Sequence, residues 1–165
     1  MITMDKIIFF DEMYNEACAF KKCAEYNNKS IDSKESIFNF MNEQIPTIVN
    51  YAFACELFLK LINLYCNGKN IRIHKLEELF DKLPNNIKVE IETSMLQRNH
   101  RWNGIWGFPV LNQFSNAFVE WRYKYENDMS KGSTKRIDLY FLKDFCEVLQ
   151  EYCISNIPCC KLINK

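Results

Sequence analysis

Glycine and proline are scarce in this sequence, with four of each among 165 residues. An all-β domain needs a turn about every 8–12 residues, and glycine and proline supply many of those turns. Their scarcity disfavours a many-turned β architecture and suits long helices. Hydrophobic residues still make up 48% of the chain, which is enough for a core and too much for a disordered protein. We therefore expect one folded domain over residues 1–165.

The chain also lacks an excess of charge of either sign, because 21 Lys and Arg residues balance 21 Asp and Glu residues. A neutral chain has no general attraction to nucleic acid or anionic membrane, so any such contact must come from a local patch. No uninterrupted apolar run reaches the about 18 residues of a transmembrane helix. The start, MITMDKIIFF, lacks the features of a signal peptide. We expect no membrane partner and a cytoplasmic location.

The sequence also lacks cysteines and histidines at the spacing that metal sites use. The eight cysteines include no Cys-x2-Cys pair, and the two histidines, His74 and His100, lie far from any cysteine pair. We therefore expect no metal and no cofactor. Cytoplasmic thiols stay reduced, so most of the cysteines are predicted to be small core residues. Only the adjacent pair, Cys159 and Cys160, is a candidate for exposure.

Apolar residues recur at helical spacing along most of the chain, and no segment shows the alternation of a strand. The pattern predicts helices over residues 5–26, 74–83, 84–97, 110–127 and 135–157, and a long central helix from a capping box at Asp32 and Glu35 to residue 67. Gly68 should end the central helix, and Pro46 should kink or restart it. The expected fold is an all-α bundle of four to five main helices with short extra helices.

Several polar residues interrupt this apolar pattern. Glu56 and Lys60 stand four apart on the central helix, as a surface ion pair or a half-buried pair that needs partners. His74 is expected to begin the next helix and to hydrogen-bond locally. Arg122 and Tyr123 lie among aromatic residues in a later helix. The Arg122 guanidinium suits either a buried acid or a bound phosphate.

The sequence contains Ala54-x-Glu56-x-x-Leu59-Lys60, then Gly68, then His74-x-Leu76-x-x-Leu79, and later Trp121-Arg122-Tyr123. This combination resembles the two signatures of the HEPN family, a helical family of prokaryotic toxin–antitoxin and anti-phage systems. The likeness spans about residues 48–126. It implies a HEPN-like four-helix bundle with short extra helices, which often forms a homodimer.

Many HEPN members are metal-independent endoribonucleases, whose implied signature is Arg followed by His about four to six residues later. Here Arg72 and Arg98 each precede a histidine by two residues, and no histidine follows Arg122 closely. We therefore expect a non-catalytic binding or dimerisation module in a bacterial defence or toxin–antitoxin system. Two alternatives stay open: an atypical endoribonuclease using Arg122 with His74 or His100, and a structural subunit of a larger complex.

Two basic segments are further candidate contacts. The loop over residues 98–109 combines arginines, a histidine and tryptophans, which are residue types that contact RNA. The alternative to RNA contact is that the tryptophans of this loop pack over the end of the bundle. A second basic segment, residues 131–136, is expected at the start of a helix, where backbone N–H groups can bind an anion. Its favoured alternative is a solvated turn. The candidate binding residues for a protein, RNA or nucleotide partner are Glu56, Lys60, His74, Arg98, His100, Arg101, Arg122, Tyr123, Lys135 and Arg136.

Overall fold

A computed structural model describes residues 4–29, 37–103, 108–115 and 138–163, and the regular structure in these ranges is entirely helical. The all-α prediction is confirmed. The HEPN-like arrangement of the helices stays a prediction. The helices are α1 (Met4–Lys29), α2 (Ile37–Asn67), α3 (Leu76–Asp81), α4 (Asn85–Arg98), α5 (Phe108–Ser115), α6 (Leu139–Asn156) and α7 (Pro158–Ile163), with a 3-10 turn at His100–Trp102 after α4.

Helix α2 lies at the centre of the bundle and packs against α1, α6 and α3. Its second half is apolar on nearly every side, which is why neighbours can cover it all round. The part from Gln44 to Asn67 is long and apolar enough to cross a membrane by length and composition. The sequence did not predict this, because polar residues interrupt the apolar run. In the fold, 61% of an 18-residue apolar window in this part is buried inside the bundle. A core helix of a water-soluble bundle meets the same test.

Pro46 was predicted to kink α2 or to restart it, and the helix continues through that residue without a restart. Proline removes one N–H donor and its ring crowds the preceding turn, which costs about 3 kcal/mol in a helix interior. Helix α2 packs against α1, and burial of this kind can offset such a cost. The Pro46 carbonyl accepts a hydrogen bond from Asn50 Nδ2 at 2.8 Å. The capping box at residues 32–35 lies outside the described residues.

Helices α3 and α6 begin at residues other than those predicted. Helix α3 begins at Leu76 instead of His74, because the backbone of the preceding residue, Lys75, is extended. Helix α6 begins at Leu139, where the Asp138 side chain accepts hydrogen bonds from the backbone N–H groups of Tyr140 and Phe141, both at 3.1 Å. The short helix α7 was not predicted. It begins at Pro158, since proline suits a first helical position.

An aromatic cluster joins α6 to its neighbours. Phe141 meets Trp102 edge-to-face at 5.1 Å and stacks on Phe114 at 5.7 Å. Phe145, one turn along α6, meets Phe80 of α3 at 6.2 Å. All five rings are buried. The cluster therefore fixes α3, α5 and the 3-10 turn on one side of α6.

Gly68 ends α2 as predicted, with a left-handed backbone at φ = 67° and its N–H bonded to Leu64 O at 2.9 Å. A Cβ at this position would meet no atom within 4 Å, so the cost of a side chain comes from the backbone alone.

We expect Gly68→Ala to lower the free energy of unfolding by about 1–2 kcal/mol, measured by urea denaturation. Gly68→Asn should lose less, because asparagine tolerates this conformation. Equal losses for both variants would contradict a purely conformational cause.

The cysteines are mostly core residues, as predicted, but the exposed one was predicted wrongly. Cys160 is buried and Cys159 is half-buried, whereas Cys23 on α1 is exposed. The reason is α7, which folds the 159–160 pair back against α6 and α1. Burial raises the pKa of the Cys160 thiol to about 12. The other buried cysteines are Cys55, Cys146 and Cys153.

We expect Cys23 to dominate the reaction of the folded protein with a disulfide reagent such as DTNB at about pH 8, because thiolates are the reacting species and need access. A single fast phase should disappear in Cys23→Ser. The matched variant Cys66→Ser, which removes a half-buried thiol, should keep that phase. Two fast phases in the unaltered protein would contradict this assignment.

Candidate functional site

Glu56 is the centre of a polar cluster between α2 and the segment before α3. Its Oε1 atom accepts a hydrogen bond from Lys60 Nζ at 2.8 Å and lies 2.9 Å from His74 Nδ1. The Glu56 and Lys60 side chains are only 12% and 14% exposed. Glu56 and Lys60 therefore form a half-buried ion pair, and the alternative of a surface ion pair was wrong. His74 bonds to a residue 18 positions earlier, so its expected local hydrogen bond was also wrong.

The turn at Gly68 makes this cluster possible. Helix α2 stops there, and the extended segment up to Lys75 returns along the helix, so that His74 comes back beside Glu56. In the tautomer that donates from Nδ1 to this carboxylate, Nε2 is the acceptor nitrogen of the ring. The His74 side chain is 76% exposed. The cluster thus combines a half-buried ion pair with an oriented, solvent-accessible imidazole.

The cations of the 98–109 loop have acidic partners on α6. Arg98 forms ion pairs with Glu147 and Glu151, which tie the end of α4 to α6. Partial burial lowers the pKa of the Arg98 guanidinium, but Glu151 and Glu147 raise it by more, so its charge is secured. Arg98 is therefore already neutralised by two carboxylates. An anionic ligand would have to compete with both of them.

Arg101 is placed differently from Arg98. Its side chain is 59% exposed, and its only polar partner given by the described residues is Asp138, at 3.4 Å. The guanidinium carbon lies 5.2 Å from the centre of the Trp102 ring and 6.0 Å from that of Tyr140. These distances suit cation–π contacts. Tyr140 is 70% exposed, and sequence reasoning missed it because it lies 39 positions from Arg101.

Trp102 itself is a packing residue. Its side chain is 2% exposed, and its indole N–H donates to Asp144 Oδ2 at 2.9 Å. The alternative that the loop tryptophans pack over the bundle therefore describes Trp102. Trp106 lies outside the described residues. His100 is exposed in the 3-10 turn beside Arg101, so the structure brings an imidazole and one accessible cation together there.

Four candidate residues, Arg122, Tyr123, Lys135 and Arg136, lie outside the described residues. Their assignment as binding residues stays a prediction. Within the ranges that the structure describes, no group of three or more His, Cys, Asp or Glu side chains could hold a metal ion.

Comparisons with known proteins give no relative: no family model, no curated protein and no solved structure matches this chain. The HEPN resemblance therefore rests on the spaced residues of the sequence alone.

Proposed function

We propose that this chain is a non-catalytic, HEPN-like helical module that associates with a second copy of itself in a bacterial defence or toxin–antitoxin system. The observation that carries this proposal is the Glu56 cluster. Lys60 and His74, the other polar residues of the first signature, both bond to the same Glu56 oxygen. The signature residues are thus used to brace α2 against the segment before α3. Such a role needs no substrate.

Exposed apolar side chains support association of two copies. Ile8 and Phe9 near the start of α1 are 50% and 42% exposed. Tyr65 near the end of α2 is 37% exposed, and its ring meets Phe10 edge-to-face at 6.3 Å. The three exposed residues therefore occupy one end of the α1–α2 pair. Apolar surface of this kind is typical of interfaces.

The test is light scattering coupled to size-exclusion chromatography over a range of protein concentrations. We expect a dimer, and Phe9→Glu should convert it to a monomer because a charge is costly to bury in an apolar interface. Tyr26→Glu is the matched control, since Tyr26 is an exposed aromatic at the opposite end of α1. A protein that stays monomeric at every concentration, or that dissociates equally with Tyr26→Glu, would refute the proposal.

The second candidate function is an atypical endoribonuclease, and the oriented imidazole of His74 favours it. A carboxylate that holds Nδ1 of a histidine leaves Nε2 to move a proton, as in general acid–base catalysis. Arg122 would stabilise the phosphate charge. The test is incubation of total RNA with the protein in EDTA, beside His74→Ala, His100→Ala and Arg122→Ala. Cleavage that one of these variants abolishes would establish this candidate, and intact RNA would remove it.

A further inference from the structure

A cleft of about 420 Å³ lies between α3, α4 and α5, and neither Glu56 nor His74 is among its described lining residues. Its apolar wall is formed by Phe80, Val89 and Leu111. Acidic side chains from α3 and α4 also line it, and Glu77 is one of them. The volume lies in the range of about 300–1,000 Å³ that small-molecule sites occupy.

Glu77 is the unusual residue of this cleft. It is only 3% exposed, and its Oε2 atom has no hydrogen-bond partner. A buried carboxyl oxygen loses its hydration, and folded proteins almost always replace that loss with a hydrogen bond. The neighbouring Glu78 shows the ordinary arrangement, because it is partly exposed and bonds to Lys75 at 2.8 Å. Glu77 therefore presents an acceptor that the described residues leave unused.

The charges around Glu77 favour a cationic ligand. Among the described residues of the lining, the charged side chains are three carboxylates, Glu77, Asp81 and Glu92, and one ammonium group, Lys88. Lys88 Nζ is directed to Asp81, at 3.1 Å from the carbonyl oxygen and 3.4 Å from Oδ1. The Lys88 ammonium is thus engaged by Asp81, and the Glu77 carboxylate keeps one oxygen without a hydrogen-bond partner. A ligand that donates a charged N–H to Glu77 would complete the site.

We propose that this cleft binds a small organic cation, which carries a guanidinium or ammonium group on a short apolar body. The cationic group pairs with the Glu77 carboxylate, and the apolar body lies against Phe80, Val89 and Leu111. A metal ion is a poorer fit, because these acids do not form a group of three ligands among the described residues. The inference does not depend on the proposed function, since it uses neither the Glu56 cluster nor the apolar end of α1.

The experiment is an NMR titration of the ¹⁵N-labelled full chain with n-butylguanidinium, beside n-butylurea, which has a similar shape without the charge. We expect saturable shifts of the α3 and α4 amides with the cation and binding at least tenfold weaker with the urea. Glu77→Gln should weaken cation binding at least fivefold. Glu78→Gln, which changes the adjacent exposed carboxylate on the same helix, should leave it unchanged.

The comparison of cation with urea needs no variant, so it decides the question even if Glu77→Gln does not fold. Absent shifts in α3 and α4, equal binding of the urea, or full binding by a folded Glu77→Gln protein would each overturn the proposal. A capped arginine, N-acetylarginine N-methylamide, distinguishes the source of the ligand. Binding of butylguanidinium alone indicates a free small molecule. Binding of both indicates that the cleft also accepts an arginine side chain of a partner protein.

Discussion

Replacing Trp102 with alanine is expected to lower the free energy of unfolding by about 3–5 kcal/mol. The ring is 2% exposed, packs edge-to-face on Phe141, and anchors its N–H on Asp144. Alanine would leave a large cavity and would remove the hydrogen bond to Asp144. A domain of this size has about 5–15 kcal/mol of stability in total, so the loss should be obvious in urea denaturation followed by circular dichroism.

One variant separates the packing of Trp102 from its hydrogen bond, and a second is a control at an exposed ring. Trp102→Phe keeps much of the aromatic contact and removes the N–H donor, so it should recover a large part of the loss. Tyr140→Ala removes an aromatic ring beside the same Arg101, but that ring is 70% exposed. We expect its effect to stay within about 0.5 kcal/mol. A loss from Tyr140→Ala as large as that from Trp102→Ala would show that the aromatic cluster is not the cause.

Glu56→Ala is the second substitution with a large expected effect. It removes the acceptor of Lys60 and His74 and leaves the Lys60 ammonium, whose side chain is 14% exposed, without its carboxylate. Removing one partner of a fully buried pair costs about 3–5 kcal/mol. Because this pair is near the surface, we expect about 2–3 kcal/mol, again measured by urea denaturation.

The double variant Glu56→Ala/Lys60→Met tests the reason for that loss. If the unpaired cation causes it, methionine should restore at least about 1 kcal/mol, since no charge is then left half-buried. Glu78→Ala is the matched control, because it breaks an exposed pair with Lys75 and should change stability very little. Failure of the double variant to recover any stability would show that lost packing, not charge, is responsible.

Local signals in the sequence predicted much of the helical structure. The apolar spacing of residues 5–26 found α1 to within three residues at its far end, and Gly68 was assigned as the end of α2 because the chain there needs a left-handed residue. Local signals predicted less where packing between helices determines the structure. The sequence left a kink or a restart open at Pro46, and the restart does not occur in the continuous helix α2, which packs against α1. Cys160 was expected to be a candidate for exposure, but α7 buries it.

The candidate sites divide in the same way. Spacing in the sequence singled out Glu56, Lys60 and His74, but the distance between His74 and Glu56 depends on how far the chain returns after Gly68. The ion pairs of Arg98 join residues about 50 positions apart, and no pattern in the sequence connects them. The sequence could not predict the unpaired oxygen of Glu77 for a related reason. Glu77 and Glu78 are neighbours of the same type, and only packing makes one buried and the other partly exposed.

By itself, the sequence determined that this protein is helical, because helical periodicity, scarce turn residues and a glycine end to α2 are properties of neighbouring residues. The tertiary structure alone decided which charges are paired, which cysteine is exposed and which carboxylate is buried without a partner. These outcomes depend on contacts between helices that are distant in the chain. Burial and pairing are properties of those contacts, and a residue's type does not specify them.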